Sequence, residues 1–419
     1  MSRLDELIQQ YCPDGVEWKT FAEVFETITD YTAAGSFKNI ADNVQYLKVP
    51  DYAMLIRTTD LKSNFTKGGF IYVSQSAFNY LWRVNMDKEC IVMPNVGNCG
   101  EIYYAQPQDL PYEHCALAPN AILVRSNTYN NRYLSYCLQV EDFQRQLNKI
   151  TSPVGQSKFN KTDLKKLALP IPPLPVQEEI VRILDNFTEL QTELQTELQK
   201  RLQQYNYYRD FLLSFEGRSD VEWIKLGDIA SIKTGRRFVR TDIRESGVPC
   251  FHYGDLYTYY GLTAKRTKGY LDPELASKLR FAQPNDVVVV CAGENDMDLG
   301  VGVAWLGDEP AVVHDACCIL HHNQSPRYIS HFLRTHNYHL QMKKYVKNGK
   351  ISSLPASGLA EALIPLPSLE EQERIAGVLD RFDTLTNDLT AGLPAEIEKR
   401  RQQYEYYRDK LLTFKRKAA

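Results

Sequence analysis

The sequence has no long apolar run, and this absence excludes a membrane-spanning chain. Its longest uninterrupted apolar stretch runs from Val287 to Ala292, whereas a membrane helix needs ~20 such residues. Residues 1–10 carry charges and lack the apolar core of a secretory signal. We therefore expect a cytoplasmic protein that makes no membrane contact.

Cysteine and histidine patterns that indicate a disulfide framework or a metal centre are also missing. The nine cysteines include no C-x-x-C pair, and the eight histidines form no H-E-x-x-H frame. Cytosolic thiols are usually reduced, and zinc sites need closely spaced ligands. We therefore expect free cysteines and no metal site.

Charge of one sign is not in excess either. The 419 residues carry 49 basic and 52 acidic side chains, which gives a net charge of −3. This balance excludes a uniformly basic nucleic-acid coat, so any DNA binding must use local basic patches. The hydrophobic content of 43% is typical of globular proteins, and at ~150 residues per domain the length suggests two or three domains.

Enzyme motifs are scarce. The chain contains neither an N-P-P-Y nor a D-P-P-Y tetrapeptide, which a DNA methyltransferase would need, and no G-x-x-x-x-G-K-[ST] loop for ATP. Pro50-Asp51 followed by Asp60-Leu61-Lys62 mimics the Mg²⁺-binding core of a nuclease. The corresponding place in the second half of the chain reads Asp255-Leu256-Tyr257, without the lysine. Nuclease activity is therefore an alternative that we do not favour.

The chain instead contains one plan twice. Three pairs of stretches match: 16–24 with 221–229, 169–187 with 364–382, and 200–215 with 399–414. A repeat period of about half the chain indicates duplicated structural units. We predict a globular segment at 1–170, a long helix at 171–215, a second globular segment at 216–365 and a second long helix at 366–416.

The helical segments keep apolar residues at a three-four spacing over many turns, in the narrow stripe of a coiled coil. Pro175, with Glu178 and Glu179 in the first turn, marks the start of the first helix, and Ser368 with Glu371 forms a capping box for the second. We expect a kink in the second helix, and four tyrosines in the helical core. The kink residues are Gly392 and Pro394, and the tyrosines are Tyr205, Tyr208, Tyr404 and Tyr407.

Short β-rich runs, broken by glycine, proline and asparagine, predict a mixed α/β (α+β) fold for the globular segments. Only 216–222 separates the first helix from the second globular segment, so that segment must lie at the far end of the helix. The second helix must then run back. We predict an antiparallel coiled coil with one globular domain at each end, a pseudo-twofold dumbbell. The runs are 90–94, 102–105, 287–292 and 311–314.

These features resemble the DNA-specificity subunit of type I restriction-modification systems, in the subgroup with tetrapeptide repeats in the central helix. The resemblance rests on VEWKTF and VEWIKL at the start of each half, the P-x-P-x-x-x-x-Q-E-x-I helix entries, the YNYYRD and YEYYRD endings, and TELQ repeats at 188–199. It implies two target-recognition domains that read a bipartite site on double-stranded DNA. It also implies a non-catalytic subunit that binds no cofactor itself and holds two methyltransferase subunits, which use S-adenosylmethionine, and two restriction subunits, which use ATP and Mg²⁺.

The TELQ run has a length that bears on DNA geometry. Four residues of α-helix add ~6 Å of rise and a net turn of ~40°, and B-DNA turns ~35° per base pair. We hypothesise that each repeat adjusts the relative rotation of the end domains by about one base pair of spacer. The alternative is a repetitive solvated helix whose leucines only fill the seam.

Candidate DNA contacts in the second half are clusters of basic residues, which suit phosphate contacts. The first cluster is the stretch 233–244, the second lies beside Tyr259 and Tyr260, and a third comprises Lys343, Lys344, Lys347 and Lys350. A charge run can also be only a solvated face. The residues of the first two clusters are Lys233, Arg236, Arg237, Arg240, Arg244, Lys265, Arg266 and Lys268.

The first half is poorer in basic residues, offering Arg57, Lys62, Lys67 and Arg83. MLIRTTDL at 54–61 aligns with PCFHYGDL at 249–256, which predicts a strand that ends at an aspartate in both copies. Residues just before that aspartate could reach base edges: Arg57, Thr58, Thr59, His252 and Tyr253. Glycine-rich turns at 97–100, which contains Asn98, and at 293–300 are further candidates, with a bland loop as the alternative.

Tyr207, Arg209, Tyr406 and Arg408 lie beside the apolar seam near the helix ends. Tyrosine and arginine are favoured at interface hot spots, so we expect a methyltransferase subunit to dock at each end; a coiled-coil flank is the alternative. For the whole chain, the alternative to a DNA-reading scaffold is a coiled-coil adaptor without DNA specificity.

Overall fold

The computed structural model describes residues 2–152, 155–293, 299–349, 351–388 and 390–417. It divides into two compact units. Unit 1 comprises Met1–Leu190 and Arg400–Ala419, and unit 2 comprises Gln191–Lys399. Both units mix helices and strands, as the sequence predicts.

Unit 1 contains two main sheets. A four-stranded antiparallel sheet has the order Thr27–Asp30, Ala121–Arg125, Cys90–Pro94, Tyr103–Ala105. A three-stranded sheet has the order Ile71–Val73, Ala53–Ile56, Cys115–Leu117, and its last two strands are parallel. The shorter helices are Arg3–Tyr11, Phe21–Val24, Phe37–Asn43, Thr58–Lys62, Gln75–Tyr80, Asn131–Cys137, Glu141–Ile150 and Lys161–Leu164, with 3₁₀ turns at Tyr31–Ala34, Trp82–Val84 and Pro107–Asp109.

Unit 2 also contains two main sheets, each with one strand more than its counterpart in unit 1. Its five-stranded sheet has the order Ala230–Thr234, Cys317–His322, Val287–Val290, Gly302–Trp305, Thr263–Ala264, and its four-stranded sheet has the order Gly269–Leu271, Val248–Phe251, Ala311–Val313, Phe281–Ala282. A small pair joins Ala292–Gly293 to Ser352–Ser353. The helices are Leu226–Ile229, Tyr253–Thr258, Pro273–Ala276, Pro326–Phe332, His336–Met342 and Ala356–Ala360, with a 3₁₀ turn at Arg240–Asp242.

The duplicated V-E-W motif lies at the start of the first strand of each globular segment. This strand pairs with the strand just before a long helix. Glu17–Thr20 pairs with Ala168–Ile171, and Glu222–Lys225 pairs with Leu363–Leu366, both antiparallel. The predicted segment boundaries at 170/171 and 365/366 therefore fall inside these closing strands. Each globular segment is closed by its first and last strands.

The first long helix, Leu174–Leu212, is continuous through the TELQ repeats, whose leucines Leu190, Leu194 and Leu198 are half-buried. It begins one residue before the predicted Pro175 and ends before Phe215, which has a left-handed φ of 48°. In unit 1, Phe187 near its start stacks on Tyr407, with ring centroids 5.6 Å apart. In unit 2, Tyr208 near its end stacks on Phe382 at 5.7 Å. Each unit thus pairs one end of this helix with the opposite end of the C-terminal helical segment, which is the predicted antiparallel sense.

The second long helix is interrupted, which is more than the predicted kink. It consists of Leu369–Asn387 and Leu393–Leu411, and Leu389 lies outside the described residues. Asp388 holds the break, because its Oδ1 accepts hydrogen bonds from the backbone N–H groups of Thr390 (2.7 Å) and Ala391 (3.2 Å). Pro394 can start a helix but cannot continue one, since it lacks an N–H group. At the other end, Ser368 caps Leu369–Asn387 by accepting from the Glu371 N–H at 3.3 Å, which is the serine half of the predicted capping box. The Glu371 carboxylate instead accepts from Arg374.

A buried glutamine attaches each globular part to its helix. Gln177 Oε1 accepts from the Asn130 N–H at 3.1 Å, and its Nε2 donates to Pro172 O at 2.7 Å. Gln372 makes the same two bonds, with the Ser325 N–H at 3.1 Å and Pro367 O at 2.9 Å. Both glutamines are fully buried. The glutamine of the P-x-P-x-x-x-x-Q-E motif is therefore a structural bridge from the helix start to the cap of a neighbouring helix.

An aspartate about two turns further along each helix makes a second shared attachment. Asp185 accepts from Arg132 Nε at 2.8 Å and from the Tyr136 hydroxyl at 2.5 Å. Asp380 pairs with Arg327 Nη1 at 2.5 Å and with His331 Nε2 at 2.9 Å. His331 thus replaces Tyr136 in unit 2.

This replacement predicts a pH-dependent difference in stability. Burial lowers the pKa of His331, an effect that Asp380 partly offsets. Unfolded histidine titrates near ~6.5, so below that pH the unfolded chain binds a proton that the buried imidazole resists, and stability falls. We expect His331→Tyr, which imports the unit 1 residue, to reduce this loss, measured as the difference in thermal midpoint between pH 7.5 and 5.5. The half-buried His322, whose pKa is also lowered, provides a positive control, because His322→Asn should reduce the loss by the same mechanism. Equal pH slopes for wild type and His331→Tyr would contradict the assignment.

Candidate nucleic-acid interface

The basic run of unit 2 is fastened to the edge of the four-stranded sheet. Gly235 permits this close approach, since a Cβ there would lie 2.3 Å from the carbonyl oxygens of Val313 and His314. The Arg236 N–H donates to Val313 O at 3.0 Å, and the buried Phe238 anchors the following turn. The run is therefore held in one conformation with its charged side chains outward.

Two of the five predicted basic residues in this run are used internally. Arg236 Nη1 donates to Lys278 O at 2.7 Å, and Arg244 forms an ion pair with Asp272 at 2.8 Å. The other three are exposed and have no ion pair among the residues that the structure describes. The exposed residues are Lys233, Arg237 and Arg240.

A cluster of aromatic and imidazole rings lies beside these arginines. His252 lies 4.9 Å from His314 and 4.7 Å from Tyr253, and Phe238 lies 5.1 Å from His314, measured between ring centroids. Burial lowers the pKa of both histidines, and nearby positive charge from Arg240 and Arg237, respectively, contributes to the same shift. Neutral imidazoles with polar edges can donate or accept hydrogen bonds at base edges.

His314 is a candidate that sequence reasoning missed. It follows the strand Ala311–Val313, which runs parallel to Val248–Phe251 with Phe251 opposite Val313. The ends of parallel strands meet at one sheet edge, so His314 and His252 come together there. The β-rich run at 311–314 was visible in the sequence, but its parallel partner was not.

The predicted strand ending at an aspartate is wrong in both copies. The strands end at Ile56 and Phe251, and the aspartates lie in the first turns of the helices Thr58–Lys62 and Tyr253–Thr258. Asp60 accepts from the Arg57 N–H at 2.9 Å, a capping contact that starts the helix early.

Each of these aspartates holds a predicted DNA-contacting residue. Arg57 makes a bidentate pair with the buried Asp60, with Nε at 2.8 Å and Nη2 at 2.6 Å. Lys268 pairs with Asp255 at 3.0 Å and lies over the Tyr259 ring at 5.1 Å. The guanidinium of Arg57 is therefore committed to the fold. In unit 2, Lys265 and Arg266, which precede Lys268 in the sequence, are exposed.

The remaining unit 1 candidates are dispersed. Lys62 forms an ion pair with Glu101. Arg83 donates to Ala33 O at 2.7 Å and lies over the Trp82 ring at 5.1 Å. Thr59, Lys67 and Asn98 are exposed, and Thr58 is half-buried.

Two further candidates of unit 2 lie partly outside the described residues. Residues 294–298 of the predicted turn at 293–300 are among those not described, as is Lys350 of the lysine cluster. Lys343, Lys344 and Lys347 are exposed.

The expected docking residues on the helices divide into exposed and buried members. Tyr207 and Tyr406 are 64% and 61% exposed. The side chains of Arg209 and Arg408 are only 12% and 15% exposed, and each pairs with the adjacent aspartate, Asp210 or Asp409. They also lie over the rings of the buried Tyr205 and Tyr404 at 5.6 and 5.8 Å. The tyrosines are thus the accessible members of each pair.

Two of the four tyrosines predicted for the core are on the surface. Tyr205 and Tyr404 are buried, but Tyr208 and Tyr407 are 38% and 36% exposed. Each of the latter covers a phenylalanine of the paired helix with one face and leaves the other accessible. The three-four pattern alone does not separate a seam residue from its flank.

The enzyme-like residues do not assemble a metal centre in the described part of the chain. The carboxylate of Asp60 is taken up by Arg57, and no group of three histidine, cysteine, aspartate or glutamate side chains there is placed to hold a metal ion. All nine cysteines are free thiols. Across the described helices, none combines the length and apolar character needed to span a bilayer.

Comparison with known proteins identifies the family. The model of the type I restriction modification DNA specificity domain matches twice, at residues 13–204 and 218–399. This chain belongs to that family. The subgroup with tetrapeptide repeats remains a prediction.

Relatives of this DNA specificity family are similar over large parts of the chain. A type I restriction enzyme specificity subunit of Escherichia coli is 36% identical over 60% of this chain and 63% of its own length. A putative specificity subunit of Haemophilus influenzae is 33% identical over 68% of this chain and 72% of its own length. The chain thus spans just under two thirds of the first relative and somewhat more of the second.

Solved structures share the fold. An S subunit of a type I restriction-modification system from M. genitalium matches with a TM-score of 0.53 and 14% identity, over 95% of this chain and 96% of that one. A chain from a structure of type I system assembly matches with a TM-score of 0.58 and 16% identity, over 96% and 98%.

Arg57 provides a test that separates folding from base reading. Arg57→Ala leaves the buried Asp60 carboxylate without its bidentate partner, and we expect a loss of about 2 kcal/mol of unfolding free energy. Arg57→Ala with Asp60→Asn should recover part of that loss, because the unpaired charge is removed. Denaturant unfolding measures both, with exposed Thr59→Ala as the control. Unchanged stability of Arg57→Ala together with an altered DNA target would show instead that Arg57 reads a base.

Proposed function

We propose that this chain is the subunit that reads a bipartite site on double-stranded DNA, one half-site per unit. The observation that carries the proposal is that the two units share their attachments to the helices but not their exposed polar surfaces. Gln177 and Gln372 make the same bonds. Two different surfaces on one duplicated scaffold suit an asymmetric site.

The recognition surface of unit 2 combines two kinds of contact. Arg237 and Arg240 are exposed and free of ion pairs within the described residues, which suits phosphate contacts. His252, Tyr253 and His314 lie next to them and carry polar edges for base contacts. Arg57 is committed internally, so unit 1 reads through other residues, of which Thr59, Lys67 and Asn98 are the exposed candidates.

We also infer that the chain is non-catalytic and acts by holding partner subunits. The sequence lacks methyltransferase and ATP-binding motifs, so S-adenosylmethionine, ATP and Mg²⁺ belong to the partners. The exposed Tyr207 and Tyr406 occupy equivalent positions in the two units, which supports two methyltransferase subunits, with two restriction subunits in the complete complex. Near-neutral net charge fits this arrangement, because the partners can add positive charge along the DNA.

Modified-base sequencing of the host genome with and without this gene tests the function. We expect a bipartite methyladenine motif that disappears on deletion and returns on complementation. Gel shifts with the methyltransferase partner give an independent test, with a duplex of scrambled sequence as the control. Equal binding to all duplexes and an unchanged set of motifs would favour the adaptor.

The arginines of unit 2 predict a change in salt dependence. Each phosphate contact contributes about −0.9 to the slope of log affinity against log salt concentration. We expect Arg237→Ala with Arg240→Ala to lower the magnitude of that slope by about 2 and to leave the preferred sequence unchanged. Fluorescence anisotropy in the presence of the methyltransferase partner measures the slope. Arg244→Ala, which removes an arginine already paired with Asp272, should change it less; an equal effect would count against the assignment.

The TELQ run predicts a change in spacer length. The repeats lie within one uninterrupted helix, and each adds a net turn of ~40°, close to the ~35° of one base pair. We expect versions with two or four repeats to methylate the same half-sites with a spacer shorter or longer by one base pair. Modified-base sequencing reads this directly, and Thr192→Ala with Thr196→Ala keeps the length as a control. The same spacer in all versions would leave the repeats as ordinary helix.

A further inference from the structure

Unit 2 contains a cavity whose polar lining is strongly basic. The cavity has a volume of about 590 Å³ and lies where the helix His336–Met342 approaches the end of the helix Leu174–Leu212. Its basic lining comprises Arg209, Arg334, His336, His339 and Lys343, and its apolar wall includes Leu340 and Met342. The lining contains no aspartate or glutamate among the described residues.

Arg334 is held in this cavity with an unused donor. Its Nη2 donates to Gly261 O at 2.8 Å and to Gly302 O at 3.3 Å, whereas its buried Nε has no hydrogen-bond partner in the described structure. A buried donor without an acceptor is unfavourable. The two carbonyl contacts of Nη2 fix the Arg334 guanidinium at the wall of the cavity.

Arg209 of this lining is paired with Asp210, whereas Arg334 and Lys343 form no ion pair among the described residues. Burial lowers the pKa of Arg334, and burial together with the charges of Arg209, Arg334 and His336 lowers the pKa of His339. The carboxylates of Asp383 and Asp210 act against these two shifts, respectively. Asp210 is already occupied, because it accepts from Arg209 Nε at 3.0 Å and from the His336 N–H at 3.4 Å. An anion would relieve the repulsion that remains.

The scaffold itself does not require these residues. The attachments of the two units correspond at an offset of 195, and Gln146 and Gln341 in the helices at this place make equivalent backbone bonds to Ala168 and Leu363. At that offset, the unit 1 residues are neutral or acidic where unit 2 is basic. Gln139, Glu141, Gln144 and Asn148 take the places of Arg334, His336, His339 and Lys343.

We propose that this cavity binds a phosphate group. Phosphate carries about two negative charges and three acceptor oxygens, which match the cations Arg209, Arg334 and Lys343 better than a single carboxylate does. The volume falls within the ~300–1,000 Å³ of small-molecule sites, and the wall formed by Leu340 and Met342 suits an apolar part of a phosphorylated metabolite. The phosphate can belong to such a molecule or to the DNA backbone. In the second case the site rests on the proposed DNA-reading function.

Binding of AMP and of inorganic phosphate to the purified full-length chain tests the proposal by isothermal titration calorimetry. We expect saturable binding of AMP to the wild type. The variant His336→Glu, His339→Gln and Lys343→Asn imports unit 1 residues and should bind about tenfold more weakly or worse. Arg334→Gln, also the unit 1 residue, is a second variant that tests the guanidinium alone. Lys149→Ala with Lys165→Ala removes two exposed cations that neither line the cavity nor belong to the candidate DNA contacts, and it should leave binding unchanged.

A scrambled-sequence duplex distinguishes the two sources of phosphate. If AMP binds and the triple variant abolishes that binding, the ligand is a small phosphorylated molecule. If AMP does not bind and the triple variant weakens duplex binding where Lys149→Ala with Lys165→Ala does not, the ligand is a backbone phosphate. Circular dichroism melting establishes that the variants fold. A folded triple variant that binds AMP and duplex as the wild type does would overturn the proposal, while the modified-base motif would stand or fall separately.

Discussion

The structure depends on a buried amide that is used twice. Gln177 and Gln372 each accept a hydrogen bond from the backbone N–H of a helix cap and donate one to a proline carbonyl. Both side chains are fully buried. A buried amide with both groups bonded fixes one geometry, because any displacement leaves polar atoms unpaired. The direction in which each helix leaves its globular part is therefore set by a few hydrogen bonds, and Asp185 and Asp380 reinforce it about two turns later.

A rigid attachment leaves the opposite surfaces free to differ. The core of a recognition domain must keep its packing, but core packing does not constrain the residues that follow the ends of its parallel strands in the same way. In unit 2 those residues are His252 and His314, whereas in unit 1 the position of His252 is held by Arg57, which is paired with Asp60. The duplicated chain thus preserves the contacts that hold the helices and changes the residues at these strand ends.

Much of the fold could be predicted from the sequence, because the helical seam and the repeat are local or periodic signals. The strand Cys90–Pro94 matches its prediction, and the antiparallel sense followed from one short linker. The break at Asp388 was only partly visible, since glycine and proline indicate a disturbance but not whether the helix ends there. The three-four pattern placed Tyr208 and Tyr407 in the core because it records spacing and not the width of the partner helix.

The candidate site was harder to predict, because charge in a sequence does not show which charges are already paired. Arg57 and Arg209 both look available, and both are committed to a neighbouring carboxylate. His314 and Arg334 carried no local signal, since each gains its place from strands or helices distant in sequence.

The comparison of the two units supplies what the single sequence lacks. Where both copies keep a contact, as at the two glutamines, the fold requires it. Where one copy replaces a neutral or acidic residue by a basic one, as at His336 and Lys343, the fold does not require the charge. A charge that costs repulsion and that the scaffold does not need is best explained by something that binds to it. Internal duplication thus separates structural residues from functional ones within one chain. The comparison holds at positions that equivalent hydrogen bonds align in the two copies.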